Sequence, residues 1–256
     1  MGLNQNHIAE ALSSIGVRQG VPVLLHSSLS SFGHVEGGAD TVLRGVINAV
    51  GPLGTVLVPT LTGAETDGPE HPPQFDRDRS PCWTGRIPET LRTWPGSVRS
   101  LHPTHSVAAI GRLAEWITRD HWLAKTPCGL GSPFARIAAE GGQVVLFGVD
   151  WNSCTMIHGI EETARVPYHM QSQLTQLILT DGARKIVIER CLHNWDGRLH
   201  KDFNRMEALV DNIEGVHRGR VGDSETIIID AERLWSAGMA KLIEDPWFLV
   251  TQDDRS

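Results

Sequence analysis

Residues 21–29 read VPVLLHSSL, residues 37–51 read GGADTVLRGVINAVG, and residues 54–63 read GTVLVPTLTG. The first block is a run of aliphatic residues (Val21, Val23, Leu24, Leu25) that gives way to polar ones, the pattern of a buried strand. The second repeats Val42, Val46 and Val50 at helical spacing; Asp40 or Thr41 is expected to cap it and Gly51 to end it. The third is again a short apolar run. Strand, helix and strand in this order predict a βαβ unit, hence a parallel or mixed sheet covered by helices.

Outward from this unit, NHIAEALSSIGV (residues 6–17) predicts a short helix with Ile8, Leu12 and Ile15 on one face. Residues 64–81 are rich in Pro and charge and read as a long surface loop. RIPETLRTWPG predicts a short helix ending before Pro95, HSVAAIG a strand, and RLAEWITRDHWLA a helix. SPFARIAAEGG predicts a helix with Ser132 as N-cap and Pro133 at its first position, and QVVLFGV a buried strand. QLILTDGARKIVIER reads as a hairpin about Asp181-Gly182. DFNRMEALVDNIEG reads as a helix, SETIIID as a strand and AERLWSAGMAKLIED as a closing helix. The expected class is α/β, a mixed central sheet flanked by helices, with an appended β-rich segment at about 170–230. Residues 1–256 are treated as a single domain.

The chain has 256 residues, 40% of them hydrophobic and 21% charged, and no segment approaches the roughly 18 consecutive apolar residues that span a membrane. A formal charge of −7 argues against nucleic acid as the main partner and is compatible with a cationic small molecule. The N-terminus lacks a basic region followed by an apolar run, and Asn6 removes a myristoylation reading of Gly2. Cys82, Cys128, Cys154 and Cys191 are far apart, so reduced thiols and a cytoplasmic location are expected.

Three motifs carry chemistry. His26, Ser27 and Ser28 stand where an apolar strand meets a loop, the position of ligands in open α/β sheets; their bland reading is turn chemistry. His102 and His105 have zinc-like spacing, but no carboxylate or cysteine pair near them completes a tetrahedral set, so no metal is expected. In WNSCTMIHGIE (151–161), His158 and Glu161 lie at i and i+3, on one helix face. A carboxylate on one ring nitrogen fixes the tautomer and prepares the other nitrogen to take a proton. Glu162 points elsewhere on that helix. No Gly-x-Ser-x-Gly elbow occurs, so the nucleophile is expected to be the substrate.

In order, HSSLSSFGHVEGGADTVLRGVINAVGPLGTVLVPT, GRIPETLRTWPGSVRSLHPTHSVAAIG, GLGSPFARIAAEGGQVVLFGV and CTMIHGIEETARVPY resemble the aminoglycoside 3-N-acetyltransferase (antibiotic N-acetyltransferase) family, which is distinct from the GNAT fold. The resemblance runs from about residue 7 to the end and is densest up to Tyr168. It implies acetyl-CoA as donor and direct transfer to an amine, the 3-amino group of an aminoglycoside. It implies His158 as general base and Glu161 as its orienting partner. His26, Ser27, Ser28, Leu29, Ser31, Phe32 and Gly33 would line the CoA channel. His102, Thr104 and Ser106 would face the pantetheine arm. A polycationic drug implies a carboxylate-lined pocket, with Glu65, Asp67, Asp150 and Glu214 as candidates. One departure is Cys154, where many members carry Asn before the retained Thr155; a buried, inert thiol is expected there. The competing readings are a family member acting on another amine, a metal-dependent hydrolase using His102, His105, His121 and His158, and a non-catalytic CoA- or drug-binding protein. A homodimer is compatible with tryptophans such as Trp195 and Trp247 on the surface.

Overall fold

A computed structural model describes residues 2–195, 197, 199–211 and 214–251. At its centre is the predicted βαβ unit: β1 (Pro22–Ser27), α2 (Gly38–Val50) and β2 (Thr55–Pro59), preceded by α1 (Gln5–Ile15). β1 pairs in parallel with β2 on one side and with β6 (Gln143–Phe147) on the other. Antiparallel strands extend both edges. β4 (Val98–Arg99) and β5 (Val107–Gly111) lie beyond β2, and β10 (Ser224–Asp230) and β9 (Val216–Val221) beyond β6. The order of this seven-stranded mixed sheet is β4-β5-β2-β1-β6-β10-β9.

Side chains alternate across the sheet because the strand period is two. Val23, Leu25, Val56, Val58, Val145 and Phe147 face one way and pack with Ile8, Leu12, Val42 and Val46 of α1 and α2, joined by Ile87 and Leu91 of α3 (Arg86–Arg92). Leu24, Leu57, Val144 and Leu146 face the other way. They meet α4 (Ala114–Thr118), α5 (Pro133–Ala139), α6 (Met156–Ala164) and α8 (Ala231–Glu244). α7 (Arg205–Val210) joins this second layer through Met206 and Val210.

Several expectations are refined. The hairpin β7 (Thr175–Asp181) and β8 (Arg184–Arg190) forms as read, but in a separate three-stranded sheet. The strands of 170–230 therefore divide, two to that sheet and two to the central one. The third member of the small sheet is β3 (Gln74–Asp76), inside the stretch read as loop; Phe75 is its buried anchor, and its partner β7 lies a hundred residues on. The helix at 112–124 stops at Thr118, because Asp120 takes a left-handed conformation (φ 56°). The cap of α2 is Gly37, not Asp40 or Thr41; Asp40 pairs with Arg44 and the Thr41 hydroxyl donates to the Glu36 carbonyl. α7 is shorter than read, and Asn212 and Ile213 lie outside the described residues. Ser132 and Pro133 open α5 as predicted.

Candidate active site

Three parallel strands end on the same side of the sheet, and the chain leaving β1 passes to α2 on one face while the chain leaving β6 passes to α6 on the other. A crevice opens where neighbouring strands diverge in this way, beyond their carboxyl ends. A cleft of about 710 Å³ lies there. Its wall includes Ser27 to Leu29 after β1, Pro59 and Leu61 after β2, and Asn152, Ser153, Thr155 and His158 after β6. Trp83, Trp195 and Phe203 add aromatic surface. His26 shares the face of Leu24, toward α6, as the alternation requires.

His158 is held in place on α6. Its Nδ1–H donates to Oε2 of Glu161 at 3.1 Å, and Glu161 is fully buried. Lys201 Nζ lies 3.4 Å from the same oxygen and donates to His169 Nδ1 at 2.9 Å. The rings of His158 and His169 stack, with centroids 5.1 Å apart and planes 6° apart. A second pair lies beneath: His193 Nε2–H donates to Glu162 Oε1 at 2.5 Å. The Glu162 carboxylate also accepts the amide N–H groups of Cys128 and Gly129. Glu162 thus points away from Glu161, as expected, and ties α6 to the loop before α5.

Burial sets the charge states. Burial, and after it the nearby Lys201 cation, lowers the His158 pKa to about 3 against the opposing pull of Glu162. His26 is held at about 3 by burial and then by His158. His105, His169 and His193 are driven well below the ordinary imidazole range by burial and by one another. Burial raises Glu161, against the pull of Lys201, and raises Glu162 to about 7, against hydrogen bonds from Thr126 and the Cys128 amide. At neutral pH these imidazoles are uncharged, each keeping a lone pair on one ring nitrogen.

The structure brings together part of the predicted set. His26, Ser27, Ser28, Leu29, Thr104 and His158 line the cleft, and Glu161 lies behind His158. Ser31, Phe32 and Gly33 do not line it. Ser31 donates to the Ser28 carbonyl and to Ser224, Phe32 packs edge-on against Phe147, and Gly33 (φ 74°) lies against Asp223, which a side chain at 33 would strike. His102 is a loop brace: its Nδ1 accepts the amide of His105 at 3.0 Å, and its ring stacks on His121. Ser106 is buried against Thr60 and Arg99. The four carboxylates also lie off this cleft. Glu65 is exposed, Asp67 accepts the Ala64 amide, Glu214 pairs with Arg233, and Asp150 borders a separate depression and accepts from Asn152 and Asn204. Among the described residues the cleft is lined by no carboxylate, and its cations are Arg86 and Lys201. Charges on loops point outward into water unless something packs over them, which is why local acidity did not predict the lining.

His169, His193 and Lys201 were not foreseen. His193 and Lys201 lie between β8 and α7, where no periodicity marks a buried side, so only an isolated imidazole and ammonium were there to read. Cys154 is buried, and burial pushes its thiol up to about 12, the inert form expected. Trp195 is a cleft wall; Trp247 packs against Tyr168.

Known proteins resemble this chain in sequence and in fold. The family described as aminoglycoside 3-N-acetyltransferase matches residues 24–243. Aminoglycoside N(3)-acetyltransferase III of Salmonella sp is 33% identical over 262 residues, covering 93% of this chain and 91% of the relative. Among solved structures, AAC-VIa bound to sisomicin superposes with a TM-score of 0.82 at 26% identity, covering 94% of this chain and 98% of that one. AAC-IIIb in a binary complex with CoASH superposes with a TM-score of 0.79 at 26% identity, covering 95% and 97%.

Proposed function

The chain belongs to the aminoglycoside 3-N-acetyltransferase family, and from that premise we propose that it moves the acetyl group of acetyl-CoA directly to the 3-amino group of an aminoglycoside, so conferring resistance. The observation that carries this reading is His158 on the cleft wall with Nδ1 held by buried Glu161. That contact leaves Nε2 to take a proton.

Acetyl-CoA supplies an acetyl group activated as a thioester. The cleft suits such a donor: His26 Nε2 and Ser27 Oγ are buried there without partners, fit for amide groups, and Arg86 offers a cation to a phosphate. His26, Ser27, Ser28, Leu29 and Thr104 are assigned to the donor. His158, neutral at the working pH, accepts at Nε2 the proton that the amine loses as it attacks. Glu161 stabilises the resulting imidazolium. Lys201 keeps Glu161 in place and weakens the imidazolium's hold on its proton, which helps its return to the departing thiolate.

We read the chain as one catalytic domain, since β9, β10 and α8 complete the sheet and helical layer beside β6. No helix among the described residues is long and apolar enough to cross a membrane. The four unpaired cysteines suit a reducing cytoplasm.

The test is a thiol-release assay with acetyl-CoA and a panel of aminoglycosides, comparing wild type with His158→Ala. Drug-dependent release should fall roughly a hundredfold or more in the variant, the loss of a general base. Release that survives in the variant places the base elsewhere. One observation favours a second reading, a different amine. The cations Arg86 and Lys201 on the cleft wall suit an acceptor of low positive charge. Monoamines belong in the panel, and turnover of these alone would select that reading.

A further inference from the structure

We propose that His158, His169 and His193 form an inhibitory site for a divalent transition-metal ion of the zinc type, which removes the base from the reaction. One ring nitrogen of each lies within 4.8 Å of the others. The ring centroids are 4.1 Å apart for His169 and His193, and 5.0 Å for His158 and His193. Two buried nitrogens in this group, His169 Nε2 and His193 Nδ1, have no hydrogen-bond partner. The opposite nitrogens of His193 and His158 are bound to Glu162 and Glu161. Carboxylates on the far nitrogen orient imidazole ligands and strengthen them, and here they also offset the ion's charge.

His169 completes the set by moving its proton to Nδ1, toward Glu161 Oε2 at 3.4 Å, which displaces Lys201 from that nitrogen. This competition from Lys201 makes the ion an inhibitor rather than a resident. Small ring rotations bring the nitrogens to about 2.0–2.1 Å from the ion and leave a fourth position for water. His158 opens to the cleft and provides the entry path. A neighbouring group, His105, Cys128 and His193, shares His193 and reaches the same cleft through His105, but only the imidazole trio has two rings, His158 and His193, whose far nitrogens are held by carboxylates. Neither His102 nor the His102–His105 spacing takes part. An ion on His158 Nε2 occupies the lone pair that accepts the amine proton.

The experiment titrates the whole chain with Co²⁺, read by the visible absorption of tetrahedral Co²⁺, and then with Zn²⁺. One Co²⁺ per chain should bind and be displaced by Zn²⁺. His169→Gln and His193→Gln should weaken Co²⁺ binding at least about tenfold, and Glu162→Gln roughly 10–100-fold, as loss of an outer carboxylate does. Because core variants can unfold, His158→Ala on the cleft wall is the second probe; it should lose the absorption while keeping the wild-type circular dichroism. The proposal is overturned if wild type shows no tetrahedral Co²⁺ band, or if folded His158→Ala binds Co²⁺ as tightly as wild type. Metal uptake is read without any acceptor, so this outcome is independent of whether the acetyl acceptor is an aminoglycoside.

Discussion

His158 sits where its own charge is disfavoured. Burial and the Lys201 cation hold its pKa at about 3, so over the neutral range the base proposed here does not titrate. The acidic limb of kcat/KM should therefore follow the pKa of the acceptor amine, not the ordinary imidazole value. Profiles measured with two acceptors of different amine pKa should be displaced from each other; a common limb near pH 6.5 would reject this. Replacing Lys201 by Met removes a charge that lowers His158, so the imidazole pKa should rise, as NMR titration of the ring can record. The His158–Glu161 pair was legible in the sequence because i and i+3 are neighbours on any helix. Its supporters His169, His193 and Lys201 were not, since a fold must bring residues about 10 to 40 positions from His158 to one point.

α6 carries the site because it packs closely on both sides. A Cβ at Gly159 would strike the Cys128 carbonyl oxygen and come within 2.8 Å of the Trp235 ring. Gly159→Ala should thus destabilise by about 1–3 kcal/mol despite alanine's better helix propensity, measurable by urea unfolding. An unchanged or raised midpoint would count against the close contact. Glu162 ties the same helix to the loop before α5. Glu162→Ala orphans the buried amides of Cys128 and Gly129, at a cost of roughly 1–3 kcal/mol for each. At this scale the sequence misled where one residue overrode a pattern. Asp120 ended the α4 helix against its apolar spacing, and Phe75 built a strand inside a charged stretch.

Across the molecule, an acidic chain keeps seven histidines neutral in its interior: His26, His102, His105, His121, His158, His169 and His193. Below about pH 6.5 the unfolded chain binds protons on these rings that the folded chain refuses. Their contribution to stability is complete above that pH and is lost as the pH falls, down to about 3 for His26, His121 and His158. Glu161 and Glu162 act in the opposite sense. With Glu162 at about 7, the folded state holds a proton the unfolded state releases, and that contribution fades as pH rises through about 7. Seven rings outweigh two carboxylates, so the urea midpoint should be lower at about pH 5 than at about pH 7.5. Equal midpoints would mean that the core histidines titrate normally.

By itself the sequence determined the α/β class, the βαβ unit, the placement of the loop after β1 at a strand end, and the His158–Glu161 pair. These rest on short-range periodicity: two residues per strand repeat, 3.6 per helical turn, and polar residues where an apolar strand stops. Only the tertiary structure decided which of the motif residues face the cleft. Ser28 and Thr104 line it, while Ser31, His102 and Ser106 brace the protein elsewhere. The same is true of the lining's charge, which lacks the predicted carboxylates among the described residues, and of the clustered imidazoles beneath His158. The physical reason is common to all three: a side chain's neighbours across a sheet or between layers are set by packing of distant segments, and no local repeat records them.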